Sequence, residues 1–166
     1  MTIDLLKRGA WFLVFVLAQV VVLGRIHLFG FATPLFYVWF VAMLPRNYPK
    51  WGALLWSFFL GLAVDIFSNT PGVAAASLTL IGVLQPYFLS LFVSRDSVED
   101  LEPSVKTIGP TKFIYYISVI VILYCLVFYS LEMFNFSDWI FWLECVVGSV
   151  VITLALILTF DIVRSK

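Results

Sequence analysis

Apolar stretches alternate with short polar breaks along the whole chain, and their spacing predicts a series of membrane-crossing helices. The first apolar segment covers 9–24 and closes on Gly24, Arg25, His27 and Gly30. The second covers 28–44, but its apolar heart from Pro34 to Leu44 is too short to span alone, so it reads as a short, tilted or broken helix. Pro45 and Pro49 end it, because two prolines cannot sit inside a continuing helix. A third segment covers 51–67 and a fourth 72–94, the latter with a kink expected at Gln85-Pro86. The fifth covers 113–134 and the sixth 139–163, and the only long polar stretch, 95–112, separates the fourth from the fifth. The expected architecture is an all-α integral membrane protein: a single membrane domain over 1–166 with six transmembrane helices.

Composition sharpens this. Of 166 residues, 63% are hydrophobic and 12% charged, where a soluble domain carries about 25% charged residues. Net charge is zero, which excludes a globally basic nucleic-acid binder. The cations are distributed unevenly. With six crossings, one side of the membrane receives Lys7, Arg8, Arg46, Lys50, Arg95, Lys106, Lys112, Arg164 and Lys166, and the other receives Arg25 alone. Since Lys and Arg stay on the cytoplasmic side, the N- and C-termini and the 95–112 loop are placed there. The N-terminal run has no small-residue cleavage site after it and is expected to stay as the first helix. Trp11, Trp51 and Trp139 fall at predicted span ends, as aromatic belts do, while Trp39, Trp56 and Trp142 lie deeper.

One stretch departs from the apolar pattern in the middle of a span. Gly61 and Asp65 stand four residues apart and share a helix face, and Ser68-Asn69-Thr70-Pro71-Gly72 then breaks the helix with turn formers. A carboxylate at membrane depth costs a few kcal/mol against lipid, so Asp65 must face protein or water. Gly61 offers a flat spot where another backbone can approach. Counted from Trp51 at about 1.5 Å per residue, Asp65 lies roughly 21 Å up, toward the outer face. Glu132, Asp138 and Glu144 gather on the same side, with Arg25 as a partner for Asp65, while Asp161 sits near the inner end of the last helix within reach of the headgroups. Asp65 reads as a helix-end acid that caps the turn or reaches outer-side water, paired with Arg25 or with backbone N–H groups near Gly72, or else as part of a binding cavity or partner surface opening outward.

Other chemistry finds little support in the residues. An aspartyl-type site needs two carboxylates sharing a proton, and Asp65 with Glu144 would require their helices to pack face to face. There is one histidine, His27, and the two cysteines, Cys125 and Cys145, sit in apolar runs as small core residues, so neither a metal site nor a cofactor is expected. Few polar residues occupy the inner half, against a pump or channel. No catalytic residue is assigned, and the chain is expected not to be an enzyme. The 95–112 loop reads as solvated.

The pattern Gly61-x-x-x-Asp65, a short polar turn, then Pro71-Gly72 and a small-residue helix start resembles the rod shape-determining MreD family. Chain length, six predicted spans, the brief second segment and the basic tail agree with it. The resemblance implies a non-enzymatic scaffold of the cell-shape and wall-elongation complex in the bacterial inner membrane. It would bind the bitopic protein MreC, with the actin-like MreB and the RodA glycosyltransferase and its transpeptidase in the wider complex. Gly61, Asp65, Ser68, Pro71 and Gly72 would then be partner-binding or structural. The family's fold is also similar to that of the S-components of energy-coupling-factor transporters, which makes a small-molecule uptake subunit the rival reading. Such subunits tend to carry Ala-x-x-x-Ala in their first helix, whereas here Ala10 is followed by Val14 and Ala18 by Val22.

Overall fold

The computed structural model describes residues 2–22, 32–93, 101–134 and 138–165. Among them the regular structure is helical, with α1 over Thr2–Leu17, α2 over Val38–Ala42, α3 over Lys50–Ser68, α4 over Val73–Phe92, α5 over Val105–Ile108, α6 over Pro110–Glu132 and α7 over Trp139–Ser165. Four of these helices, α3, α4, α6 and α7, are long and apolar enough to cross a membrane. Their bounds fall close to the predicted spans. The helix α4 continues through Pro86, and α6 begins at Pro110, where a proline suits the first helical turn because its missing N–H has no helical partner there.

The first two predicted segments look different. The helix α1 runs for 16 residues and gives way to a five-residue π-helical turn, Ala18–Val22. The second segment is broken: residues 33–35 are irregular and only five residues, Val38–Ala42, form α2. All five are buried, as are Leu35, Tyr37, Met43 and Leu44. A helix that is apolar all round belongs inside a protein or a membrane, and α2 lies within the bundle, packed against α1, α3, α4 and α6. Around it α3 packs on α4, α4 on α6 and α6 on α7.

Non-helical backbone at membrane depth is tolerated only where protein satisfies its polar groups, and side chains from the surrounding helices do so here. The Leu35 N–H donates to Thr153 Oγ1 of α7 at 3.0 Å, and the Thr33 N–H to Ser149 Oγ, one turn earlier on α7, at 3.2 Å. The Thr33 hydroxyl meets the Tyr129 hydroxyl of α6 at 2.9 Å, and Tyr129 meets Ser149 Oγ at 2.5 Å. Gln19, turned inward by the π-helical turn, donates from Nε2 to the Pro34 carbonyl at 2.9 Å. Beyond α2, Gln85 Nε2 of α4 donates to the Leu44 carbonyl at 3.0 Å, and the Tyr116 hydroxyl of α6 to the Ala42 carbonyl at 2.7 Å. The hydroxyls of Tyr37 and Tyr124 are also hydrogen-bonded in the core. The second segment therefore holds the bundle together from within.

The part of the 95–112 loop that the structure describes is docked, contrary to a fully solvated reading. The Arg46 N–H donates to the Leu101 carbonyl at 3.3 Å. Ser104 and Thr107 form a reciprocal capping box at the start of α5. Asp161, expected to reach the headgroups, is instead buried and accepts the Val105 N–H at 2.9 Å.

Replacing Thr153 by Val keeps the side chain's shape but leaves the buried Leu35 N–H without an acceptor. Thr153→Val is expected to lower unfolding stability in micelles by about 1–2 kcal/mol. Thr159→Val, which removes an exposed hydroxyl bonded only to Ala155 of its own helix, is expected to stay within about 0.5 kcal/mol of the parent.

Candidate functional site

The hairpin of α3 and α4 carries Gly61, Asp65, Ser68, Pro71 and Gly72, the five positions expected to be partner-binding or structural, and its geometry follows from two conformational demands. The turn between the helices is only four residues, Asn69–Gly72. It is closed by left-handed backbone at Asn69 (φ 57°) and Gly72 (φ 82°). Asparagine tolerates that region and glycine takes it freely. Gly72 is also the residue that caps α4, and with no side chain it cannot accept from the first N–H groups of the helix it starts.

Asp65 supplies what Gly72 lacks. From the last turn of α3 its Oδ1 accepts the Ala74 N–H at 2.9 Å and its Oδ2 the Ala75 N–H at 2.8 Å. These are the second and third N–H groups of α4, the pair that an N-cap side chain normally satisfies. Oδ1 also accepts the Thr70 hydroxyl at 2.9 Å, and the Asp65 carbonyl accepts the Thr70 N–H at 3.3 Å. The carboxylate is 3% exposed, so its charge and hydrogen-bonding capacity are directed at the start of α4, where the helix dipole favours an acid.

Gly61 makes that reach possible. A Cβ placed on it would lie 2.5 Å from Ala75 Cα and 2.7 Å from the Ala74 carbonyl oxygen. The α3 backbone thus rests directly on the residues that Asp65 caps. Ser57 and Gly82 repeat the arrangement further down, where a Cβ on Gly82 would lie 2.6 Å from Ser57 Oγ. Ala53, Ser57, Gly61 and Asp65 therefore form one buried stripe at four-residue spacing. Only its upper half was singled out in the sequence; the signal that extends it is the continued run of small residues at that spacing.

Of the remaining positions, Ser68, Pro71 and Gly72 are exposed at the hairpin tip. Arg25, expected as a partner of Asp65, lies outside the described residues, as does His27. Glu132, Asp138 and Glu144 are exposed, while Asp65 is buried. Among the described residues no three His, Cys, Asp or Glu side chains come together as a metal-binding group. Cys125 and Cys145 are buried free thiols.

Comparison with family models, with curated proteins and with solved structures gives no match. The site must therefore be read from its own geometry.

The opposite face of α3 is open. A groove of about 670 Å³ runs along it, with Phe12 of α1 and Tyr48 on one side and Leu55, Phe59, Leu62 and Ile66 along the helix. Its length matches α3 from Trp51 to Ile66, and Asp65 does not line it. The hairpin thus has a polar, tightly closed face that fixes α3 on α4 and an apolar face that the described residues leave uncovered.

Asp65→Ala removes the acceptor for two backbone N–H groups and one hydroxyl, and is expected to cost about 2 kcal/mol of unfolding stability. Asp65→Asn keeps one acceptor oxygen and is expected to fall between parent and Ala. Gly61→Ala should be worse still, because its Cβ meets backbone that cannot move aside. Gly9→Ala on α1, with open space around it, should be neutral or stabilising by up to about 1 kcal/mol. Denaturant titration in micelles orders the four variants.

Proposed function

We propose that this chain is an MreD-like scaffold of the bacterial cell-shape and wall-elongation complex, and that it works by assembly and not by catalysis. In this reading it lies in the inner membrane with both termini in the cytoplasm, and the broken second segment completes six crossings. The observation that carries the proposal is the apolar groove along α3, long enough to receive a single transmembrane helix, with the Trp56 N–H in its lining already donating to the Tyr48 hydroxyl at 2.9 Å. A bitopic partner of the MreC type would lay its membrane segment there. MreB and the RodA–transpeptidase pair would join on the cytoplasmic and membrane sides of the assembled complex.

The polar residues of the bundle support the same reading. Asp65, Gln85, Ser149, Thr153 and Tyr116 are each hydrogen-bonded to backbone within the protein. They are engaged in holding the fold, and a scaffold needs that rigidity more than it needs free reactive groups. Gly61 and Asp65 then act on the partner indirectly, by fixing the angle at which α3 presents its groove.

A photo-crosslinking amino acid at Leu62, within the groove, is expected to capture the bitopic partner in cells. The same probe at Val151, on the exposed face of α7, is expected to capture none. Capture from both positions alike, or from neither, would contradict the groove as the docking face.

A further inference from the structure

At the end of the bundle where α1 begins and α7 ends, a cleft of about 310 Å³ opens between α1, α2, the segment before α5 and the last turn of α7. Lys7, Arg8 and Arg164 line it, with Glu102 as the one acid among its lining residues. Its aromatic wall is built from Trp11 and Trp39, with the Arg164 guanidinium 5.8 Å and 5.3 Å from their respective rings. Trp39 is 3% exposed, and its indole N–H is buried without a hydrogen-bond partner.

From this arrangement we infer that the cleft binds a phosphate group, and that the phosphate is the headgroup of an anionic lipid. Three cations around one acid select a negative charge. Lys7, Arg8 and Arg164 line the cleft as charged donors. The volume suits a headgroup and not a whole lipid. In line with Lys7 and Trp11 at three- and four-residue spacing, α1 carries Ile3 and Val14, exposed at 66% and 52%, apolar positions along which acyl chains can leave the cleft. The cations here belong to the set that the positive-inside pattern puts at the cytoplasmic leaflet, where anionic lipid and basic pockets between helices meet. Glu102 lies 3.7 Å from the Arg164 guanidinium, so it competes with the headgroup for the same cation.

That competition makes the test directional, and the inference stands apart from the scaffold proposal. The protein is released for native mass spectrometry from nanodiscs containing equal amounts of phosphatidylglycerol and phosphatidylcholine. Retained phosphatidylglycerol is expected to exceed phosphatidylcholine. Lys7→Gln and Arg164→Gln should each reduce that preference about fivefold, at roughly 1 kcal/mol per cation near the surface. Glu102→Gln should raise it, a gain that misfolding cannot produce. Equal retention of the two lipids, or a Glu102→Gln variant no better than the parent, overturns the inference. Loss of the retained lipid on adding millimolar inorganic phosphate would overturn the lipid assignment and give the cleft to a soluble phosphate compound.

Discussion

Hydrocarbon offers no hydrogen bonds, so every backbone N–H and C=O inside the bundle must find its partner within the protein. Regular helices meet this demand by themselves. Among the described residues, four breaks in regular helix are each closed by a side chain reaching across from another element. Thr33 and Leu35 bond α7, the Ala42 and Leu44 carbonyls bond Tyr116 and Gln85, the start of α4 bonds Asp65 of α3, and the start of α5 bonds Asp161 of α7. These bonds are few, but they decide which helices lie against which. An apolar contact can slide along a helix; a buried N–H facing one oxygen cannot.

The two buried aspartates perform one task in two places. Each stands on a long helix and closes the N-terminus of a different helix. Asp65 does so because Gly72, required for the left-handed turn, has no side chain to cap with. Asp161 adds a remote acceptor to a short helix that Ser104 and Thr107 already cap. Apart from these bonded residues, two surfaces stand open among the described residues, the apolar groove on α3 and the basic cleft beside α1. The first suits a helix in lipid and the second a charged headgroup.

Much of this was legible in the letters. The prolines at 45 and 49 and the turn from Ser68 to Gly72 marked helix ends within a residue or two. The Gly61–Asp65 spacing marked a helix face with a close contact and a buried acid, and an acid capping the turn near Gly72 was one of the two readings it allowed. The break in the second segment was foreshadowed by its short apolar heart. Its place at the centre was not, because Val38 to Leu44 looks the same whether lipid or protein covers it. The partners of that segment were also hidden: Leu35 and Thr153 are 118 positions apart, and no local spacing links them. Asp161 misled for a related reason, since a carboxylate near a helix end suits the headgroups equally well until α5 is seen to need it. The basic cleft was visible only as scattered cations that set orientation.

The claim that side chains close the open backbone is tested most directly by residue-resolved hydrogen exchange in micelles. The amides of Leu35, Ala74, Ala75 and Val105 are expected to exchange as slowly as those in the interior of α6, although none of the four donates to a carbonyl of its own helix ladder. Exchange at Leu35 and Ala75 as fast as at exposed Asn47 would contradict it, and would mean that packing alone holds the bundle together.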